Sequence, residues 1–271
     1  MTTEVTMRQR CPAQLVIEEL LQEQSGIPPR SVLARFFGRC PLGADSVSWY
    51  RGAQGEITVG EILAQLPPEW AVFHALPVGT KGADIDHLVI GPGGIFTINT
   101  KHHGGKSVWV AGRAFMVSGH KQPHIRNAKF EAQRVTSLVW ERMPLLGPAI
   151  PLIVVVNPKK LTIRDQPDPV RVMDARHLRR WLLKLPRVIP ASDLAELAEL
   201  FDRPETWRAV PRSAPVDLME RFVALDKEVR VAGIRSKLWA LLGTAATIGV
   251  ATVAGPQVVG AVLPLLLGTA H

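Results

Sequence analysis

Asp86 lies in one short apolar run, Ile85 to Ile90, and Asp84 just before it. Asn99 and Lys101 lie in a second, Ile95 to Lys101, and Gly91-Pro92-Gly93-Gly94 separates the two. Strand, tight connection, strand is the signature of a β-hairpin. Because side chains alternate faces along a strand, Asp84, Asp86, Leu88 and Ile90 share one face of the first, and Thr97, Asn99 and Lys101 share one face of the second. An acid, an amide and a lysine can therefore meet at one end of the pair. Asp and Lys are seldom buried without a partner, so their place on strands this apolar asks for a local reason. One is a salt bridge at the sheet end. The other is a divalent-metal phosphodiester site, in which carboxylates hold magnesium while the lysine steadies the attacking water or the developing negative charge.

The elements that must position these groups are legible on either side. From Gln54 the period becomes helical, with Val59, Ile62, Leu63 and Leu66 at i, i+3, i+4 and i+7 and Pro67-Pro68 as the stop. Glu56 falls on the inward side of that helix and Glu61 outward; an inward carboxylate in a first turn also suits the helix dipole or a cap. Trp70 to Leu76 reads as a strand and Gly79 to Gly82 as a turn. Beyond the hairpin, Ser107 to Val110 and Ala114 to Val117 read as strands. Asn127 to Met143 reads as a helix with Phe130, Arg134, Ser137, Leu138 and Glu141 on one side and Val135 and Val139 on another. Leu152 to Val156 is a continuous apolar run, expected of a central strand covered on both faces. Val170 to Met173 gives one more strand, Asp174 caps a helix to Leu185, and Asp193 with Glu196 starts another to Phe201. Strands alternating with helices predict an α/β domain with a mixed central sheet flanked by helices, ending near residue 203.

The hairpin, together with GAQGE at Gly52 to Glu56, ADIDH at Ala83 to His87 and GGIFTINTKHHGG at Gly93 to Gly105, resembles the nuclease-related domain called NERD, a distant relative of the PD-(D/E)XK restriction-endonuclease-like nucleases. The resemblance covers roughly residues 48–160. It implies a restriction-endonuclease-like fold, magnesium or manganese as cofactor, and a site formed by a helix glutamate, an aspartate at a strand end, and an acid two residues before a lysine. Carried over position by position, these are Glu56, Asp86, Asn99 and Lys101, with Glu56, Asp86 and Asn99 toward the metal and Lys101 catalytic with Asp86 and Glu56. Asn99 departs from the pattern. A carboxamide keeps one neutral oxygen but lacks the charge that hard cations prefer, so metal affinity should drop, with Asp84 a better substitute than His103. The other reading is a branch that no longer cuts and serves as a nucleic-acid-binding or scaffold module.

With 32 Lys and Arg against 24 Asp and Glu, the net charge is +8 and the pI about 9.9, which suits a phosphate backbone or an anionic membrane surface. Lys106, Arg113, Lys121, Arg126 and Lys129, with His120 and His124 among them, could form a nucleic-acid-binding surface if they face one way; a solvated face is the ordinary alternative. Of His102 and His103, at most one should face the site. Cys11 and Cys40 have no paired spacing and support neither a disulfide framework nor a zinc site. No P-loop, dinucleotide glycine pattern or GxSxG elbow is present, which leaves NTP hydrolysis, hydride transfer and serine hydrolysis without support.

Residues 1–47 are expected as an N-terminal helical extension without a secretory signal, with an amphipathic helix over 13–24 and a short piece over Ser31 to Phe37 whose Phe36-Phe37 pair could be a contact site. Residues 48–203 form the α/β domain, and 204–237 a proline-marked linker and juxtamembrane helix. Residues 238–270 carry no charge; at about 1.5 Å per residue they would reach on the order of 50 Å, against a hydrocarbon core of about 30 Å. This predicts a C-terminal transmembrane helix, as a single pass kinked at Gly255-Pro256 or a hairpin anchor. Arg230, Arg235 and Lys237 before it predict a cell-membrane protein with its main domain cytoplasmic.

Overall fold

Gly91 and Gly94 pair across the turn of an antiparallel hairpin, and Gly94 adopts φ 137°, a conformation that residues with a Cβ avoid. The hairpin belongs to a computed structural model that describes residues 6–78, 84–207 and 217–267. Two compact units divide the chain: Met1–Glu23 with Asp45–Leu218, and Gln24–Ala44 with Met219–His271.

In chain order, helices α1 (Gln14–Ser25), α2 (Val32–Phe36) and α3 (Ser46–Leu63) lead to strands β1 (Ala71–Pro77), β2 (Asp84–Gly91) and β3 (Gly94–His102). Strands β4 (Ser107–Ala111), β5 (Ala114–Val117) and β6 (His120–Lys121) precede helix α4 (His124–Trp140). Strands β7 (Ile150–Val156), β8 (Lys160–Asp165) and β9 (Arg171–Asp174) are followed by helices α5 (Ala175–Leu182), α6 (Ala191–Asp202) and α7 (Leu218–Leu267). The turn expected at Gly79 to Gly82, and the prolines Pro211 and Pro215 expected in a linker, lie outside the described residues.

A mixed α/β architecture is present, but the strands form two sheets where the sequence suggested one. The larger runs β1-β2-β3-β7-β9 and the smaller β6-β5-β4-β8. Strand β3 pairs antiparallel with β2 and parallel with β7, so it is interior. Parallel neighbours need a crossover, which β4 to β6 and α4 supply. The strand β8, absent from the sequence reading, pairs parallel with β4; its exposed Lys160, Arg164 and Asp165 hide a strand that is only half covered.

Alternation along β2 and β3 sorts the core into two faces. Val89, Phe96 and Ile98 pack with Val59 and Leu63 of α3 and Leu178 and Leu182 of α5. Leu88, Ile90 and Ile95 pack with Ala132, Val135, Leu138 and Val139 of α4 and Leu197 and Phe201 of α6. One sequence expectation is thereby corrected and one left open is decided. Helix α3 begins at Ser46, so Glu56 lies mid-helix and its burial answers neither a cap nor the helix dipole. Helix α4 turns inward the side holding Ile125, Ala128, Glu131, Ala132 and Val135, while Phe130 is exposed. Asp174 does cap α5, accepting from the Arg176 amide at 3.0 Å.

In the second unit, Ser31 caps α2 by accepting from the Ala34 amide, Phe36 and Phe37 both pack at a tilt against Trp239 with ring centroids 5.1 Å away, and the Trp239 indole N–H donates to the Phe36 carbonyl. Helix α7 runs through Gly255 and Pro256 without ending. The expected membrane anchor is corrected: among the described residues no helix is long and apolar enough to cross a membrane. The placement at the cell membrane fails with it. Residues 238–270 lack charge, but much of the run is Gly, Ala and Thr (Gly243, Thr244, Ala245, Ala246, Thr247, Gly249), and missing charge is a weaker criterion than sustained large apolar side chains.

Candidate functional site

The β2–β3 ladder runs from Gly91↔Gly94 to His87↔Ile98 and stops there. Past that point a side chain replaces the backbone acceptor, for the Thr100 amide donates to Asp86 Oδ2 at 2.6 Å. The site lies where the hairpin opens. Asp86 and Asn99 are both buried, and Asn99 Nδ2 donates to Glu131 Oε1 of α4 at 2.6 Å. Lys101, one strand repeat on, is half-buried.

Glu56 reaches the same group from α3. It is buried, and its carboxyl is held well above the usual range by burial first and then by Asp86 and Asp84, with Lys101 pulling it back. Burial and Asp86 push Asp84 up to about 7. Burial and Asp86 push Glu131 up to about 8, while Lys101 and the Asn99 hydrogen bond oppose the rise. Asp86 is raised by burial against Lys101 and the Thr100 amide. Asp84, Asp86 and Lys101 thus act on both Glu56 and Glu131. No direct ion pair within 4 Å among the described residues involves Lys101, so the simple salt bridge at the sheet end is not what is found.

Gly55 is what lets α3 bring Glu56 so close. A Cβ there would stand 3.0 Å from His102 Cβ and 3.4 Å from Thr100 Cγ2 on β3. Gly55→Val should cost about 1–3 kcal/mol through overpacking and displace Glu56, so that activity falls more than thermal stability does; equal losses in unfolding and activity assays would contradict this.

Four buried oxygens of the group have no hydrogen-bond partner: Glu56 Oε2, Asp84 Oδ2, Asn99 Oδ1 and Glu131 Oε2. Buried polar atoms are rarely left so, and several such oxygens together suit a hard cation. The donor set therefore fits magnesium or manganese in kind. As the side chains stand, however, no group of three or more His, Cys, Asp or Glu among the described residues is arranged to hold an ion.

The raised carboxyls fix the sign of one pH effect. Asp84 rises from 3.8 to about 7 and Glu131 from 4.5 to about 8, so between those limits the folded chain keeps protons that the unfolded chain has released. Stability must then fall as pH rises through this window, by on the order of 1.4 kcal/mol per pH unit for each carboxyl still protonated in the fold. Thermal unfolding with a chelator should show the melting temperature dropping from about pH 4.5 to pH 8; a flat or rising profile would contradict it.

Two neighbours escaped the sequence reading. Glu131 was detectable only through the helical phase of α4. Arg10, ahead of α1, is buried with Nε and Nη2 unpartnered, and Asp84 is among the charges that act on it. Of the two adjacent histidines, His103 lies on the Lys101 side: burial first, then Lys106 and Lys101, lower it to about 4. Burial and Lys101 likewise lower His124 to about 3, and the two rings stack with centroids 5.8 Å apart. Both are neutral at pH 7. Lys106, Arg113, Lys121, Arg126 and Lys129 are all exposed, and Lys129 Nζ donates to the Asp168 carbonyl at 2.6 Å.

Fold and site define a class: mixed α/β domains that gather acids and one lysine where a central hairpin opens. Residues 51–156 match the family model of the nuclease-related domain, NERD, and that segment of the chain is such a domain. No curated protein and no solved structure matches the chain significantly.

Proposed function

We propose that the domain is a metal-dependent phosphodiesterase acting on DNA or RNA. The observation that carries the reading is the set of buried Glu56, Asp86, Asn99 and Glu131 with half-buried Asp84 and Lys101, four of whose oxygens are buried and lack partners. Glu56 and Asp86, with Asn99 beside them, would hold the cation. A bound magnesium or manganese ion would supply Lewis-acid polarisation of the phosphodiester and lower the pKa of the attacking water. Asp86 is fixed for its part by the Thr100 amide, which donates to Oδ2. Lys101 steadies the water and neutralises charge that develops on the phosphoryl oxygens as the P–O bond to the leaving group breaks. The neutral His103 and His124 can accept or donate a hydrogen bond there but bring no positive charge to the phosphate.

Lys106, Arg113, Lys121, Arg126 and Lys129 provide the surface for the polyanion. Lys121→Ala with Arg126→Ala should weaken binding uniformly across sequences and reduce the log–log salt slope by about 0.9 for each phosphate no longer neutralised. An unchanged slope in filter binding at graded salt would remove both from the interface.

The test of the whole reading uses the full chain with labelled DNA and labelled RNA, in magnesium, in manganese and in chelator. Cleavage that needs the metal supports it. Salt-sensitive binding without cutting under every condition would instead favour a binding module at this fold, the reading that the carboxamide at position 99 encourages.

A further inference from the structure

We propose that Glu131 supplies the acid missing from position 99, holding the divalent cation with Glu56 and Asp86, while Asn99 serves to anchor the Glu131 carboxylate. The inference rests on the metal-dependent reading above and adds to it a residue from a different element.

Four observations support the assignment. Glu131 points inward from α4 and is 8% exposed, burial that an ionisable residue in an amphipathic helix does not tolerate without a local purpose. Its Oε1 is taken by Asn99 Nδ2 at 2.6 Å, a short contact that fixes the carboxyl group against β3. Its Oε2 is left without a partner. Asn99, itself 5% exposed and uncharged, likewise spends its amide on Glu131 and keeps Oδ1 unpartnered. The pair therefore offers one charged and one neutral oxygen, where a strand carboxylate would have offered only its own.

The arrangement also accounts for why the residue at 99 is an amide. An aspartate there would set two buried carboxylates against each other at hydrogen-bond distance, and like charges so placed cannot both ionise. The carboxamide instead donates, and the negative charge moves from the strand to the facing helix. Asp84, the substitute expected from the sequence, lies among the same charges but has no contact with Asn99 among the hydrogen bonds of the described residues.

The test is manganese binding to the full chain, followed by calorimetry and by the metal's effect on melting temperature, for four proteins: wild type, Glu131→Gln, Asn99→Asp, and the two changes together. Glutamine keeps a carbonyl oxygen to accept from Asn99, so only charge is removed. Glu131→Gln is expected to weaken manganese binding about tenfold or more. Asn99→Asp alone should bring no gain in affinity, because the new charge meets Glu131. The double variant, with the charge returned to the strand, should recover binding to within about threefold of wild type, which a merely structural Glu131 would not produce. Wild-type binding that Glu131→Gln leaves unchanged overturns this inference while leaving the nuclease reading intact. Should Glu131→Gln fold poorly, a double variant that folds but binds no better than tenfold below wild type also overturns it. Absence of any manganese binding by the wild type removes both.

Discussion

Lys101→Ala is expected to lower metal-dependent cleavage by about 10²–10³-fold, the usual cost of removing one group that stabilises developing charge in a shielded site. Lys101 is the cation that acts on Glu56, Asp84, Asp86 and Glu131 alike. It lies on the same face of β3 as Asn99, two residues further on. Its loss removes positive charge from the reacting phosphoryl group and at the same time leaves the carboxyls less opposed, so they hold protons to higher pH. The pH at which cleavage begins should therefore move upward as well as the rate downward. Lys101→Arg keeps the charge but replaces a compact ammonium with a planar fork, and recovers only part of the rate. Single-turnover cleavage across pH 6 to 9 separates these effects. A Lys101→Ala protein that cuts at the wild-type rate would take the lysine out of the chemistry.

The hairpin was legible in the sequence because everything that specifies it is local. Two alternating apolar runs and a glycine-rich connection determine the faces of Asp86, Asn99 and Lys101 without help from the rest of the chain. Glu56 was legible only because its position relative to Val59 sets its direction; the start of α3 was misplaced, since Ser46 to Tyr50 mixes polar and aromatic residues with no clear period. Glu131 was not legible. A charged residue in a helix is ordinarily read as solvent-facing, and the sequence offered two sides of α4, that of Phe130 and that of Val135 and Val139, without deciding which turns inward. The direction of α4 is decided by contacts of Ala132, Val135 and Val139 with strands far away in sequence, which no window of the helix contains. The same limit hid β8, whose partner β4 lies about fifty residues earlier. At the other end of the chain, the uncharged run 238–270 reads as a membrane span, but among the described residues no helix is long and apolar enough to be one.

Phe96→Ala should destabilise the domain by about 3–5 kcal/mol, the range for deleting a buried aromatic ring. Phe96 is fully buried on interior strand β3, stacked toward Trp70 with centroids 6.3 Å apart and edge-on to Trp181 at 5.7 Å. Its neighbours Val89, Ile98, Leu152 and Val154 belong to three adjoining strands and cannot all collapse into the space left behind. At about 2–4 °C per kcal/mol for a chain of this size, the melting temperature should fall by about 10 °C or more. Phe96→Leu, which refills part of the volume, should cost less than half as much. Phe96 nevertheless faces α3 and α5, whereas Asn99 and Lys101 face the other way, because 96 and the odd positions of the strand differ by one step of alternation. Well below its melting temperature, the Phe96→Ala protein should therefore cleave within about threefold of wild type, as expected for separated sites. Loss of cleavage there, with the fold intact by circular dichroism, would show instead that the α3 face controls the geometry of the site, most directly through Glu56, which α3 carries and whose neighbour Gly55 rests against β3.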